Sequence, residues 1–150
     1  MKTQTFECIV EYSRTPYSHL IVLFPGLVED DFKKEKFFMH PDCMLAKRVA
    51  HIETFHLVRL DSMLTAFDAL NFLFESGYRP ALFEELISAA RHDPTLGKRF
   101  PVLALGAYTV VKKQDIYPCV SSIGRSRARS LETVNHDIHD GFRLLAIKTQ

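Results

Sequence analysis

His136-Asp137 and His139-Asp140 put two imidazoles and two carboxylates within five positions, the densest group in the chain of side chains able to move protons or ligate a metal. Zinc would need ligands at helix-turn or knuckle spacing and a partner elsewhere, and neither accompanies this group. Calcium would need clustered carboxylate and amide oxygens, for which Glu132, Asn135 and Asp137 are a thin set. No metal site and no cofactor are therefore expected. Nucleophilic chemistry has as little to start from. Ser121 and Ser122 lack a glycine-flanked elbow, and Cys119 stands beside Pro118 in a strand-like run, where a small buried thiol is the common case. A hydrolase would need a thiol or hydroxyl to meet a base such as His56 or His92, a convergence that sequence does not display. Gly97 and Gly106 are isolated and Gly124 is followed by Arg125 and Ser126, so no glycine pattern cradles a phosphate.

Arg125, Arg127 and Arg129 alternate with small residues, and Lys112-Lys113 lie one hairpin away on the sequence pattern. Such a local basic face suits phosphates. With no aromatic residues interleaved for base stacking, it favours backbone contact over base reading. The chain as a whole supplies no field to help, because 19 Lys and Arg stand against 18 Asp and Glu. Three cysteines, Cys8, Cys43 and Cys119, are too few and too widely spaced for a disulfide framework. The amino terminus has no apolar signal core and no apolar run is long enough to cross a bilayer, so a cytoplasmic chain without a membrane partner is expected.

The elements that must position these residues are legible in part. With 150 residues, of which 47% are hydrophobic, and no repeat or linker, the chain reads as one domain over residues 1–150. Residues 6–12 read as a strand, and a second apolar run covers residues 19–24 before Pro25-Gly26. Residues 55–60 read as a strand with both faces partly buried. Asp61 or Ser62 can cap a helix whose stripe is Met63, Phe67, Leu70 and Phe74, stopped by Gly77. Pro80 suits the first turn of a second helix, with Glu84 and Glu85 at its positive end and a buried stripe of Leu82 or Phe83, Leu86, Ile87 and Ala90. After Pro101 the chain reads as sheet: 102–111 interrupted by Gly106, 116–120, and a closing strand at 142–147. Two helices on a mostly antiparallel sheet make an α+β domain. Residues 121–140, almost without large apolar groups, read as a long polar connection, a kind of segment that is usually functional or disordered.

The runs Gly77-Tyr78-Arg79-Pro80-Ala81, Glu84-Glu85-Leu86, Phe100 to Gly106, Tyr117-Pro118 and Arg143 to Ile147 resemble small bacterial proteins of unassigned function. More distantly, a Gly-Tyr-Arg segment leading into a helix ending Ala89-Ala90-Arg91, with a closing Gly141-Phe142-Arg143 strand, is similar to the C-type-lectin-like fold of formylglycine-generating (sulfatase-modifying) proteins. That fold also serves target proteins of diversity-generating retroelements, whose variable stretch precedes the closing strand. The resemblance implies a C-type-lectin-like domain without enzymatic activity, since the catalytic cysteine pair has no counterpart here. It implies a recognition surface at residues 121–140, open to diversification, for an unidentified ligand, expected to be a protein. The expected contact residues are Arg125, Arg127, Arg129, Asn135, His136, Asp137 and His139. The alternative is a small regulatory protein that holds nucleic acid through Lys112, Lys113 and the three arginines.

Overall fold

A computed structural model of the chain describes residues 3–12, 15–34, 38–39, 49–122 and 128–149. The elements run β1 (Thr3–Val10), α1 (Tyr17–Leu23), β2 (Leu27–Val28), α2 (Asp31–Lys34), β3 (Phe38–Met39), β4 (His51–Val58) and α3 (Ala66–Glu75). They continue with β5 (Tyr78–Pro80), α4 (Phe83–His92), β6 (Val102–Leu103), β7 (Ala107–Val111), β8 (Gln114–Ser122), β9 (Arg129–Val134) and β10 (Arg143–Lys148). The α+β class with a mostly antiparallel sheet is what the chain forms. The strands follow the order β1-β4-β10-β6-β8-β7-β3, with β5 on β10, β9 on β8 and β2 on β9. Only β10 with β6 and β2 with β9 pair in parallel among the described strands.

Period-two geometry explains why the closing strand reads as an unbroken apolar run. Successive side chains of a strand point to opposite faces, and in β10 Leu145 and Ile147 join one apolar cluster while Leu144 and Ala146 join the other. The same split divides Val102 from Leu103 in β6 and Val120 from Cys119 in β8. A strand buried on both faces has no polar alternation to show. Leu20 and Phe24 from the α1 segment and Leu86, Ile87 and Ala90 of α4 cover the first face. Ala69, Leu70 and Leu73 of α3 cover the second, so the two longer helices lie on opposite sides of the sheet.

The buried stripe of α4 is the expected one, whereas that of α3 is rotated. Leu64 exchanges backbone hydrogen bonds with Ile138, at 2.9 and 2.7 Å, which holds the chain extended up to that point. The helix therefore starts after Thr65, whose side chain accepts from Asp68 N, and not after Asp61 or Ser62. Met63 and Phe67, expected in the core, are 64% and 70% exposed. Gly77 ends the helix with a φ of +84°, a backbone region open to glycine. Pro80 belongs to β5 and not to the first turn of α4, because residues 78–80 pair with β10 before the helix begins.

Residues 121–140 depart furthest from expectation. Residues 117–122 of β8 register with 134–129 of β9, so the stretch taken as a polar connection contains a sheet strand. Its few apolar residues are the reason: Leu131, Val134 and Ile138 are all buried.

Candidate binding surface

Strand register brings several polar residues to one end of the sheet. Thr3 stands opposite Val58, and Val58 opposite Leu144. One step beyond, Arg59 leaves β4 beside the first residue of β10, Arg143. Because β6 runs parallel to β10 with Val102 opposite Arg143, the Arg99-Phe100-Pro101 approach arrives at the same end. The Arg143 amide confirms the junction by donating to Pro101 O at 2.8 Å.

Arg143 holds its guanidinium 3.7 Å from the centroid of the Phe100 ring, and that of Arg99 lies 5.3 Å from the same ring. The Arg143 Nη1 also donates to the carbonyls of Asp140 and Phe142, each at 3.0 Å. Arg59 Nη2 sits 3.5 Å from Asp140 Oδ2, while its Nε is buried without a hydrogen-bond partner among the described residues. Burial, then the charges of Arg59 and Arg99, hold the Arg143 guanidinium below its ordinary value, and Asp140 offsets this in part. Like charges on neighbouring strands repel, so this arrangement of three guanidiniums near one carboxylate costs stability. Between Arg59 and Arg143 lies a recess of about 320 Å³, lined by these two with Thr3, Gln4 and Leu57.

Residues 135–142 form the rim. Ile138 is 1% exposed and anchors the segment in the core, while Asn135, His136 and Asp137 before it and His139 and Asp140 after it face solvent. His136 Nδ1 lies 2.7 Å from the carbonyl oxygen of Asp137. A carbonyl only accepts, so Nδ1 carries the hydrogen and the neutral ring keeps Nε2 as an acceptor. His139 is the reverse case. Its Nδ1 accepts from Gly141 N at 3.0 Å, so its proton in the neutral ring is on Nε2. Both rings pack on Phe142, at centroid distances of 5.9 and 4.7 Å. A Cβ at Gly141 would come within 2.6 Å of the exposed His139 ring, which would have to shift. One acceptor and one donor are thus fixed side by side over a buried aromatic ring. Met63, beside the Leu64–Ile138 bridge, adds exposed apolar surface on that flank, and Phe67 in the first turn of α3 is exposed as well.

Comparison with known proteins finds no matching family model, no matching curated protein and no matching solved structure. Function therefore has to be read from the site itself.

Of the expected contact residues, Asn135, His136, Asp137 and His139 share the rim, and Arg125 and Arg127 lie outside the described residues. Asn135 Nδ2 donates to Gln114 Oε1 at 2.9 Å, which ties the rim to the hairpin of β7 and β8. Arg129 is a correction. It is 6% exposed, and its Nη1 donates to the carbonyls of Ala90, Asp93 and Leu96 at 2.9, 3.0 and 3.4 Å. They lie at and beyond the end of α4, where a helix leaves carbonyls unpaired, and that of Asp93 also accepts from Leu96 N at 3.1 Å; Arg129 is thus spent on the fold. Sequence reasoning missed Arg59 and Arg99. Their only signal was position, one just past a strand and the other just before Phe100-Pro101.

The remaining reactive groups serve the core. Burial, with Glu85 and Glu53 nearby, pushes the Cys8 thiol up to about 11, and burial with Glu132 raises Cys119 as well. A raised thiol is the opposite of an activated nucleophile. Glu85, fully buried, receives a two-pronged ion pair from Arg79 at 2.8 and 2.7 Å, the Tyr12 hydroxyl at 2.9 Å and the Leu82 amide at 2.7 Å. Among the described residues no group of three or more His, Cys, Asp or Glu is placed to hold a metal ion. No helix there is long and apolar enough to cross a membrane.

Proposed function

We propose that this chain is a non-enzymatic binding domain of C-type-lectin-like type, whose partner is a protein and whose recognition surface is the rim at residues 135–142 with Met63 and Phe67. The observation that carries the reading is Ile138. Ile138, buried and bridged to Leu64, and Phe142, buried at its end, fix a segment whose polar side chains face outward. Such a segment tolerates substitution at its exposed positions while its backbone stays in place, as binding loops on rigid scaffolds do. Exposed Met63 and Phe67 supply the apolar anchors that a polar loop lacks. The same segment lies just before the closing strand, where diversification would act.

Sequencing this locus across a natural population tests both parts. Changes concentrated at Asn135, His136, Asp137, His139 and Asp140, with Ile138 and Gly141 fixed, are the expected result. Variation spread evenly over all exposed positions of the chain would remove the diversified surface from consideration.

Lys112 and Lys113 support the second reading, contact with nucleic acid. Both hold positive φ, 50° and 65°, at the tip of the β7–β8 hairpin, where glycine or asparagine is the usual occupant. Strained residues kept at a tip suggest retention for contact. Arg129 takes no part in that face, being buried. Nucleic-acid affinity absent even at low salt would end this reading.

A further inference from the structure

We infer that the recess between Arg59 and Arg143, with the charge of Arg99 nearby, is an anion subsite that takes a phosphate group, free or esterified. The inference rests on the binding reading and names the chemistry of one part of that surface.

Charge balance points to phosphate. Three guanidiniums less the one carboxylate of Asp140 leave two positive charges at the sheet end, which matches a phosphate carrying close to two negative charges near neutral pH. A carboxylate ligand would neutralise half of that excess. Geometry agrees. Arg143 is held in place by two backbone carbonyls and by the Phe100 ring, so its guanidinium is ordered before any ligand arrives. Ordering of this kind removes part of the entropic cost of binding. Arg59 brings a buried Nε without a hydrogen-bond partner among the described residues, an N–H whose burial is unfavourable until something accepts from it. The recess of about 320 Å³ is large enough for a phosphate together with part of the group that bears it, and Thr3 and Gln4 offer uncharged hydrogen bonds on its β1 side. Guanidinium forks match phosphate oxygens in pairs, which makes arginine the side chain suited to this task.

The test follows the Nε–H resonances of Arg59 and Arg143 by NMR while the full chain is titrated with inorganic phosphate, phosphoserine or acetate at constant ionic strength. Saturable shifts with phosphate, and weaker ones with acetate, are expected. Arg59→Gln and, separately, Arg99→Gln should each weaken phosphate binding roughly tenfold, as loss of one charge-assisted contact implies. Arg99 is exposed and its exchange leaves the core untouched, so that variant reports on binding even if Arg59→Gln fails to fold. Phosphoserine binding tighter than inorganic phosphate assigns the occupant as a phosphorylated partner, and equal binding assigns the free anion; either result upholds the subsite. Shifts that do not saturate, that acetate reproduces, or that both variants retain in full would overturn it. None of these results depends on where natural variation falls, so the subsite can fail while the diversified rim stands, and the reverse.

Discussion

Arg129 shows how a residue type can be read correctly and its role misread. Its alternation with Arg125 and Arg127 suggested an exposed basic stripe, yet its guanidinium turns inward to the end of α4 and lies 5.4 Å from the Phe24 ring. Burial holds it below its ordinary value, with Asp93 acting against that shift. Removing it takes the Arg129 donor from the carbonyls of Ala90 and Leu96 and leaves that of Asp93 with the Leu96 amide alone. We expect Arg129→Ala to lower unfolding free energy by about 3 kcal/mol, the range for breaking a buried charged hydrogen-bond set. Urea denaturation measures this, and a loss below about 0.5 kcal/mol, the size of an ordinary surface change, would return Arg129 to the surface role. Glu85 carries a related lesson. Its position near a helix start and six residues after Arg79 was legible, but its bond to Tyr12 joins residues 73 apart in the chain, and no local pattern encodes such a meeting.

At the scale of elements, what could be read was whatever a periodic pattern decides alone. The buried face of α4, the stop at Gly77 and the closing strand follow from local spacing and glycine chemistry. The phase of α3 does not, because it is set by the bridge between Leu64 and Ile138, 74 residues apart in number. Strand β9 was hidden for a similar reason: with Leu131 and Val134 as its only large apolar side chains, it looks polar until β8 is placed beside it. Half of the candidate site was therefore visible, namely the rim residues, and half was not, since Arg59, Arg99 and Arg143 meet only through strand register. The β7–β8 hairpin yields a prediction at this scale. Val111 pairs with Gln114, so Lys112-Lys113 is a two-residue loop in which both residues adopt left-handed backbone angles. Exchanging the pair for Asn-Gly, the sequence such a turn favours, should raise stability by about 1 kcal/mol. An increased urea midpoint at unchanged slope would show it, and a decrease would mean that the lysines make contacts the turn geometry does not reveal. The exchange also removes both ammonium groups, so nucleic-acid affinity that survives it intact counts against the second reading.

For the molecule as a whole, the sheet carries its own pH sensitivity at His56. This residue lies in β4 between Thr5 of β1 and Ala146 of β10, 9% exposed, with its ring 5.1 Å from that of Tyr78. Its Nδ1 is buried without a hydrogen-bond partner among the described residues. Burial, and then the charge of Lys148, hold its pKa below the ordinary value of 6.5. The folded state therefore binds fewer protons than the unfolded chain once the pH drops under that value. By linkage, stability is fully present above about 6.5 and is lost as the pH falls toward the lower folded-state value, because protonation then favours unfolding. Unfolding free energy measured by urea from pH 7.5 down to pH 5 should decline. Other titrating groups contribute to that decline, so the decisive quantity is a difference. His56→Gln keeps a polar side chain but cannot take up a proton in this range, and its stability curve should be flatter than that of the natural chain over the same interval. Parallel curves would show that His56 titrates alike in both states, against the burial of its ring and of an Nδ1 without a hydrogen-bond partner among the described residues.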